Sequence, residues 1–266
     1  MSPRWVLPMV LATAAGAHAQ DAFEIQVYNA ETAAPLQFGA ELHLNHFFVG
    51  SLAPEGAELP TNHVTHLTIE PHIGIAEWCE AGVYLTTAIR ADGTFDFTGF
   101  KLRFKARIPK RLFGMLGLAL NTEFSVARAD YEANVFGMEV RPVIDFEWKR
   151  LYLAVNPILA IPLGGALAGR PEFEPSFKAS VRALPFMALG AEYFAAFGPI
   201  GQPTPLRDQV HRVFGALDFD WKWGRQIYEL NFGVGYGLTG PEKWIAKLIF
   251  AFDLEPAPAA PPASET

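Results

Sequence analysis

Residues 97–108 read FTGFKLRFKARI. Phe100, Leu102, Phe104, Ala106 and Ile108 alternate with Lys101, Arg103, Lys105 and Arg107. Successive side chains of a β-strand point to opposite faces, so a strict period of two gives this segment one apolar and one cationic face. A helix, turning about 100° per residue, would scatter both sets around its circumference. The stretch predicts a strand, in a fold that has separate uses for a greasy face and a charged one.

The same period recurs to both sides. Phe38, Ala40, Leu42 and Leu44 oppose Gln37, Glu41, His43 and Asn45. Leu67, Ile69, Pro71, Ile73 and Ile75 oppose His66, Thr68, Glu70 and His72. Leu116, Leu118, Leu120 and Phe124 oppose Asn121, Glu123 and Ser125. Segments at 81–90, 136–147, 151–159, 173–182, 187–193, 212–221, 228–237 and 244–252 alternate likewise. The predicted strands suit membrane crossing, which takes about 9–11 residues, better than the roughly 5–6 usual in soluble proteins. Their apolar positions carry no Lys, Arg, Asp or Glu. That fits a lipid-facing surface, where Arg or Lys at mid-depth costs about 2–4 kcal/mol.

The connections alternate in length. Long ones fall at 49–63, 127–134, 161–171 and 198–209, with shorter ones at 91–96 and 239–242. Tight turns are predicted near Glu77-Trp78, Pro109-Lys110-Arg111, Lys149-Arg150, Ala183-Leu184-Pro185 and 222–226. Trp78, Phe113, Trp148, Trp221, Trp223 and Phe252 gather toward the tight-turn end. Phe48, Phe97, Phe136, Tyr193, Tyr236 and Trp244 gather toward the other, as two aromatic girdles. The expected fold is all-β, an antiparallel up-and-down transmembrane β-barrel over residues 36–254. It has about twelve strands, with ten or fourteen as the alternatives. A soluble exported β-sandwich shares the alternation; strand length, loop asymmetry and girdles favour the barrel.

Residues 1–19 read as a signal peptide. Arg4 is followed by an apolar run from Trp5 to Ala15, and Ala17-His18-Ala19 fits the cleavage pattern, giving a mature start at Gln20. Residues 20–35 precede the first strand as a periplasmic or mouth segment. Phe23–Tyr28 alternates too, as an extra strand, a periplasmic extension or a piece folded into the mouth. The Pro/Ala-rich tail, 255–266, is expected to be disordered. Pro71, Pro142, Pro157 and Pro175 fall inside predicted strands, where each removes a ladder donor, so bulges or kinks are expected. A net charge of -7 argues against nucleic acid. The single Cys79 excludes an intramolecular disulfide and every multi-cysteine metal motif. No motif implies a cofactor.

The stretch His66–Leu85, HLTIEPHIGIAEWCEAGVYL, looks like that of exported proteobacterial proteins. Phe38 to Phe252 resembles small Gram-negative outer-membrane barrels of the porin-like, substrate-channel kind. The segment Trp244–Phe252 resembles the aromatic-ended last strand read by the barrel-assembly machinery. The resemblance implies an outer-membrane location with both termini in the periplasm, and outer-membrane lipid and the assembly machinery as partners. The tail from Glu255 departs from that pattern.

Lys101, Arg103, Lys105 and Arg107 would form a vertical file, about 7 Å apart. Neighbouring strands offer Glu80, Arg90, Glu123, Glu139, Arg141, Asp145 and Glu147. Two uses fit: a cationic track guiding anionic solutes through a wet lumen, or a salt-bridge network filling a narrow interior. Both can hold, because unpaired members of a network remain available to a solute. His43, His66 and His72, near Glu41 and Glu70, have transition-metal chemistry. However, His66 and His72 lie about 20 Å apart along one strand and cannot share an ion, so polar lining is the reading. Ser125, Ser176 and Ser180 face inward without a histidine on an adjacent strand or a GxSxG pattern, so no catalytic residue is assigned. The expected function is passive or facilitated passage of small polar solutes. The alternative is a plugged structural or adhesion barrel acting through its loops, with an outer-membrane hydrolase a minor one.

Overall fold

In the computed structural model, which describes residues 21–165 and 167–257, every alternating segment from Phe38 onward forms a strand. The predicted signal peptide, its cleavage point and the tail beyond residue 257 lie outside the described residues. The strands are β1 (Phe38–Phe47), β2 (Thr65–Ala76), β3 (Cys79–Ile89), β4 (Phe95–Arg107), β5 (Leu116–Ala127) and β6 (Phe136–Trp148). β7 has two pieces, Leu151–Asn156 and Leu159–Pro162, as does β8, Glu172–Phe173 and Ser176–Leu184. β9 (Met187–Ala196), β10 (Val210–Trp223), β11 (Gln226–Gly237) and β12 (Trp244–Leu254) complete the set. Each strand pairs antiparallel with its predecessor, and β12 pairs with β1 from Phe38↔Leu254 to Phe47↔Ile245. The result is a closed twelve-strand barrel, and closure leaves no edge to template aggregation.

The faces are sorted opposite to those of a soluble protein. On β4, Leu102 is 52% exposed, whereas Arg103 next to it is 5% exposed. Ile69, Leu85, Phe124, Ile144, Val181, Leu189 and Val234 stand out around the wall. A sandwich would bury these and expose the charges. Exposed Trp78, Trp148, Trp221 and Trp223 ring the short-turn end, and exposed Phe97, Phe136, Tyr236 and Trp244 the long-loop end, completing the belt that lipid requires.

At the prolines the expected irregularity takes the form of strand breaks and pairing gaps rather than bulges. β7 breaks at Pro157-Ile158 and β8 at Glu174-Pro175. Pro71 and Pro142 lie within continuous strands, but pairing lapses beside them. The β2–β3 register passes from Ile69↔Leu85 to His72↔Gly82, and the β6–β7 register from Val140↔Leu159 to Ile144↔Val155. Register is kept across every gap, so a missing N–H costs a ladder bond without adding a residue. The mid-strand register shift is instead between β3 and β4, where Thr86 pairs with Gly99 and Thr87 with Phe97. Thr98 is the extra residue, and its hydroxyl turns inward to Thr86 at 2.9 Å. The turn expected at Pro109-Lys110-Arg111 is a longer connection over 108–115, pinned by the Leu112–Leu116 bridge. Glu255, expected in a disordered tail, is held by Lys222 at 2.6 Å.

Candidate functional site: the threaded lumen

Of the segment 20–35 expected at the periplasm or the mouth, residues 21–30 run inside the barrel, and the chain continues along the short-turn rim, where Glu31 and Ala34–Leu36 are exposed. The segment is extended but joins no strand. Buried backbone groups still need partners, and the wall's side chains supply them. Asn156 accepts from the Tyr28 N–H at 2.7 Å and donates to its carbonyl at 3.1 Å. The Ala30 N–H reaches Asp145 at 2.8 Å and the Ala33 N–H reaches Glu80 at 2.5 Å. Asn45 donates to the Ala22 carbonyl, Thr68 to that of Phe23 and Lys247 to that of Ile25. Toward the short turns, the Leu36 N–H donates to the Gly74 carbonyl at 2.8 Å.

The period of two in Phe23–Tyr28 has its explanation here. Ile25 and Val27 pack on Phe47, Ala154, Phe194, Phe214 and Ile245, inward apolar residues that form one greasy wall. Glu24 and Tyr28 face the opposite, charged wall. Two glycines allow the close approach. A Cβ at Gly74 would stand 2.0 Å from the Ala34 carbonyl oxygen, and one at Gly117 2.8 Å from the Ala30 Cβ.

The cationic file is in place and paired. Lys101 meets Asp21, Glu24 at 3.4 Å and Glu123 at 3.3 Å. Arg103 bridges Glu70 at 2.6 Å and Glu80 at 2.7 Å. Lys105 lies 4.0 Å from Glu80 and 3.4 Å from Asn29, and Arg107 pairs with Glu31. Arg141 binds Glu139 at 2.6 Å and Glu24 at 3.0 Å, and stacks on the Tyr28 ring at 4.2 Å. Asp145 takes Arg111 at 2.6 Å. Thus Lys101, Arg103, Lys105, Arg107, Arg141, Glu80, Glu123, Glu139 and Asp145 come together around the threaded segment. Two candidates do not join them. Arg90 lies at the long-loop rim with Asp96 at 2.6 Å, and Glu147 at the short-turn rim with Arg111 at 3.1 Å.

Several residues of this interior were missed. Asp21, Glu24 and Glu31 on the segment neutralise wall cations. Across the lumen, Glu192 holds Lys247 and, at 3.2 Å, Lys178, which also meets Asp218 at 2.6 Å. The signal that could have found the threading was the inward aromatic set Phe47, Phe194 and Phe214, which a water-filled lumen does not need.

The histidines do not converge. His66 stacks edge-on against Phe23, and His72 binds Asp253 at 3.0 Å. His43 lies 3.4 Å from Glu70 and 3.5 Å from Glu41. Glu41, His43 and Glu70 could present one ligand atom each within 4.8 Å of one another, but Arg103 already sits on Glu70 as its cation. Ser176 touches Asn156 at 3.5 Å, an arrangement with no imidazole base.

Above the segment, at the long-loop end, lies a vestibule of about 1240 Å³ with Asp21, Ala22 and Phe23 as its floor. The β1–β2 loop folds over it, with the Leu59 N–H donating to the Asp130 carbonyl at 2.9 Å. In the β5–β6 loop, burial pushes the Glu132 carboxyl up to about 8, reinforced by the nearby Asp21 charge.

A closed twelve-strand barrel is a fold that this chain shares with outer-membrane channels. Solved members superpose on it over most of the chain. An outer membrane channel from Pseudomonas putida F1 matches with a TM-score of 0.56 at 7% identity, covering 87% of this chain and all of that one. The NanC porin matches at 0.52 and 6%, covering 82% of this chain and all of its own. The KdgM porin matches at 0.50 and 7%, covering 82% of this chain and 99% of its own. No family model and no curated protein matches the sequence; the likeness is one of fold.

Proposed function

We propose that the protein is a porin-like channel of the outer membrane for small polar solutes, and that its own residues 21–37 regulate passage. The carrying observation is the segment lying along the lumen, held by side chains rather than by a strand ladder. A structural barrel could fill its interior with wall side chains alone. Here Asp21, Glu24 and Glu31 neutralise Lys101, Arg141 and Arg107 from a removable element. With the segment in place, the file braces the interior. With it withdrawn, the same cations become a track for a passing solute. Ser176 meets Asn156 rather than an imidazole, which supports transport over catalysis.

Gly74→Leu tests this reading. Its side chain would occupy the place of the Ala34 carbonyl and push the segment aside. In planar bilayers the variant should stay open more than the wild type. A folded barrel that conducts in neither form would point instead to an adhesion role.

The long loops are proposed to face the medium, with the short turns and the end of β12 facing the periplasm. In a Cys79→Ser background, an impermeant thiol reagent on intact cells should label a cysteine at Ala57 and spare one at Lys149. The reverse pattern would turn the barrel over.

A further inference from the structure

The vestibule differs in charge from the file beneath it. Among the described residues ten carboxylates line it, against four bases, Lys101, Arg170, Arg207 and Arg212. Most of these acids have side-chain partners; Glu55, in the β1–β2 loop, Glu132 and Glu174 have none among the described residues. Glu174, in the break of β8, is only 7% exposed and lines the cavity. Its side chain makes no hydrogen bond or ion pair with any described residue. The charges acting on it most strongly are Glu139, Glu172, Asp21 and Glu132, all carboxylates. Glu132, also lining the cavity, has a backbone hydrogen bond to Arg128 but no side-chain partner among the described residues. A buried, unpaired carboxylate among others either holds a proton or takes a cation as its partner, and a cation entering the cavity displaces that proton.

We propose that this vestibule binds extended organic cations, aliphatic polyamines being the best match. A single metal ion needs its ligands to converge. Among the described residues the convergent set is Glu41, His43 and Glu70, deep in the lumen, and not the vestibule acids. Carboxylates spread around about 1240 Å³ suit a chain that carries several ammonium groups separated by methylenes. The walls provide for those methylenes: Phe23, Val64, Ala160 and Leu167 lie among the acids. The inference goes beyond the channel reading, because binding at the vestibule does not require the segment to move.

Isothermal titration of the detergent-solubilised full barrel with spermidine tests it directly. Saturable binding is expected, weakening as salt screens the attraction. Glu174→Gln, and separately the loop substitution Glu132→Gln, should each lower affinity by about tenfold, with heat-modifiability on gels confirming the fold. Galacturonate, an anion, should not bind at this site. No saturable binding of spermidine, an affinity unchanged by both substitutions, or equal competition by magnesium would overturn the proposal. A barrel that binds spermidine but never conducts would refute the channel reading and leave this one standing.

Discussion

Deleting residues 21–33 should raise single-channel conductance by about an order of magnitude or more, because hydrated ion flow replaces a packed lumen. The deletion removes Ile25 and Val27 from the greasy wall and the backbone groups that Asn156, Asp145 and Glu80 hold. It also removes Asp21, Glu24 and Glu31, which leaves Lys101, Arg141, Arg107 and Arg111 less compensated. The larger pore should therefore favour anions, seen as a shifted reversal potential in a salt gradient. The strand ladder from β1 to β12 does not involve the deleted residues, so the barrel should still assemble and migrate as a heat-modifiable band. Unchanged conductance in an assembled barrel would mean that the segment does not obstruct passage.

Replacing Lys101, Arg103 and Lys105 together by Gln should have the opposite effect on selectivity and a large effect on stability. Arg103 alone joins Glu70 and Glu80 on neighbouring strands. Leaving one buried charge uncompensated typically costs about 3–5 kcal/mol, so urea unfolding should shift clearly to lower denaturant. Lys101 also anchors Asp21 and Glu24, so the segment should loosen and openings lengthen. The carboxylates that remain should turn the pore toward cations. The shift should fade as the screening length falls from about 10 Å at 0.1 M salt to about 3 Å at 1 M. Intact selectivity and stability in the triple variant would show that the file neither braces nor steers.

The barrel was legible in the sequence because its lipid face tolerates no charge and its strands keep one period. Leu102 beside Arg103 already separates outside from inside. Where the reading stopped was the content of the lumen. The charges of the file could be assigned to a face and Glu80 and Glu123 to its neighbours, but Asp21, Glu24 and Glu31 lie on a segment that forms no ladder. Glu24 is 77 residues from the Lys101 it meets. The alternation of Phe23–Tyr28 announced two faces without saying what would cover them. Only the inward Phe47, Phe194 and Phe214, together with Ile245, indicated that one wall of the lumen was dry. Arg90 and Glu147 stand apart from the cluster for a simpler reason. Alternation gives the face of a residue but not its height, and both sit at rims. The prolines gave gaps rather than bulges, because register was already fixed by the pairing on either side.

The central claim is that residues 21–30 occupy the lumen in the membrane. A photoreactive benzoylphenylalanine at Gln26, whose amide donates to Glu41 on β1 at 3.2 Å, tests it directly in intact outer membranes. Illumination should give an intramolecular adduct, found by mass spectrometry between the peptide carrying residue 26 and that of β1, Phe38–Phe47. Adducts to other proteins alone, or to none of the barrel wall, would place the segment outside the barrel and contradict the threading on which the proposed regulation depends.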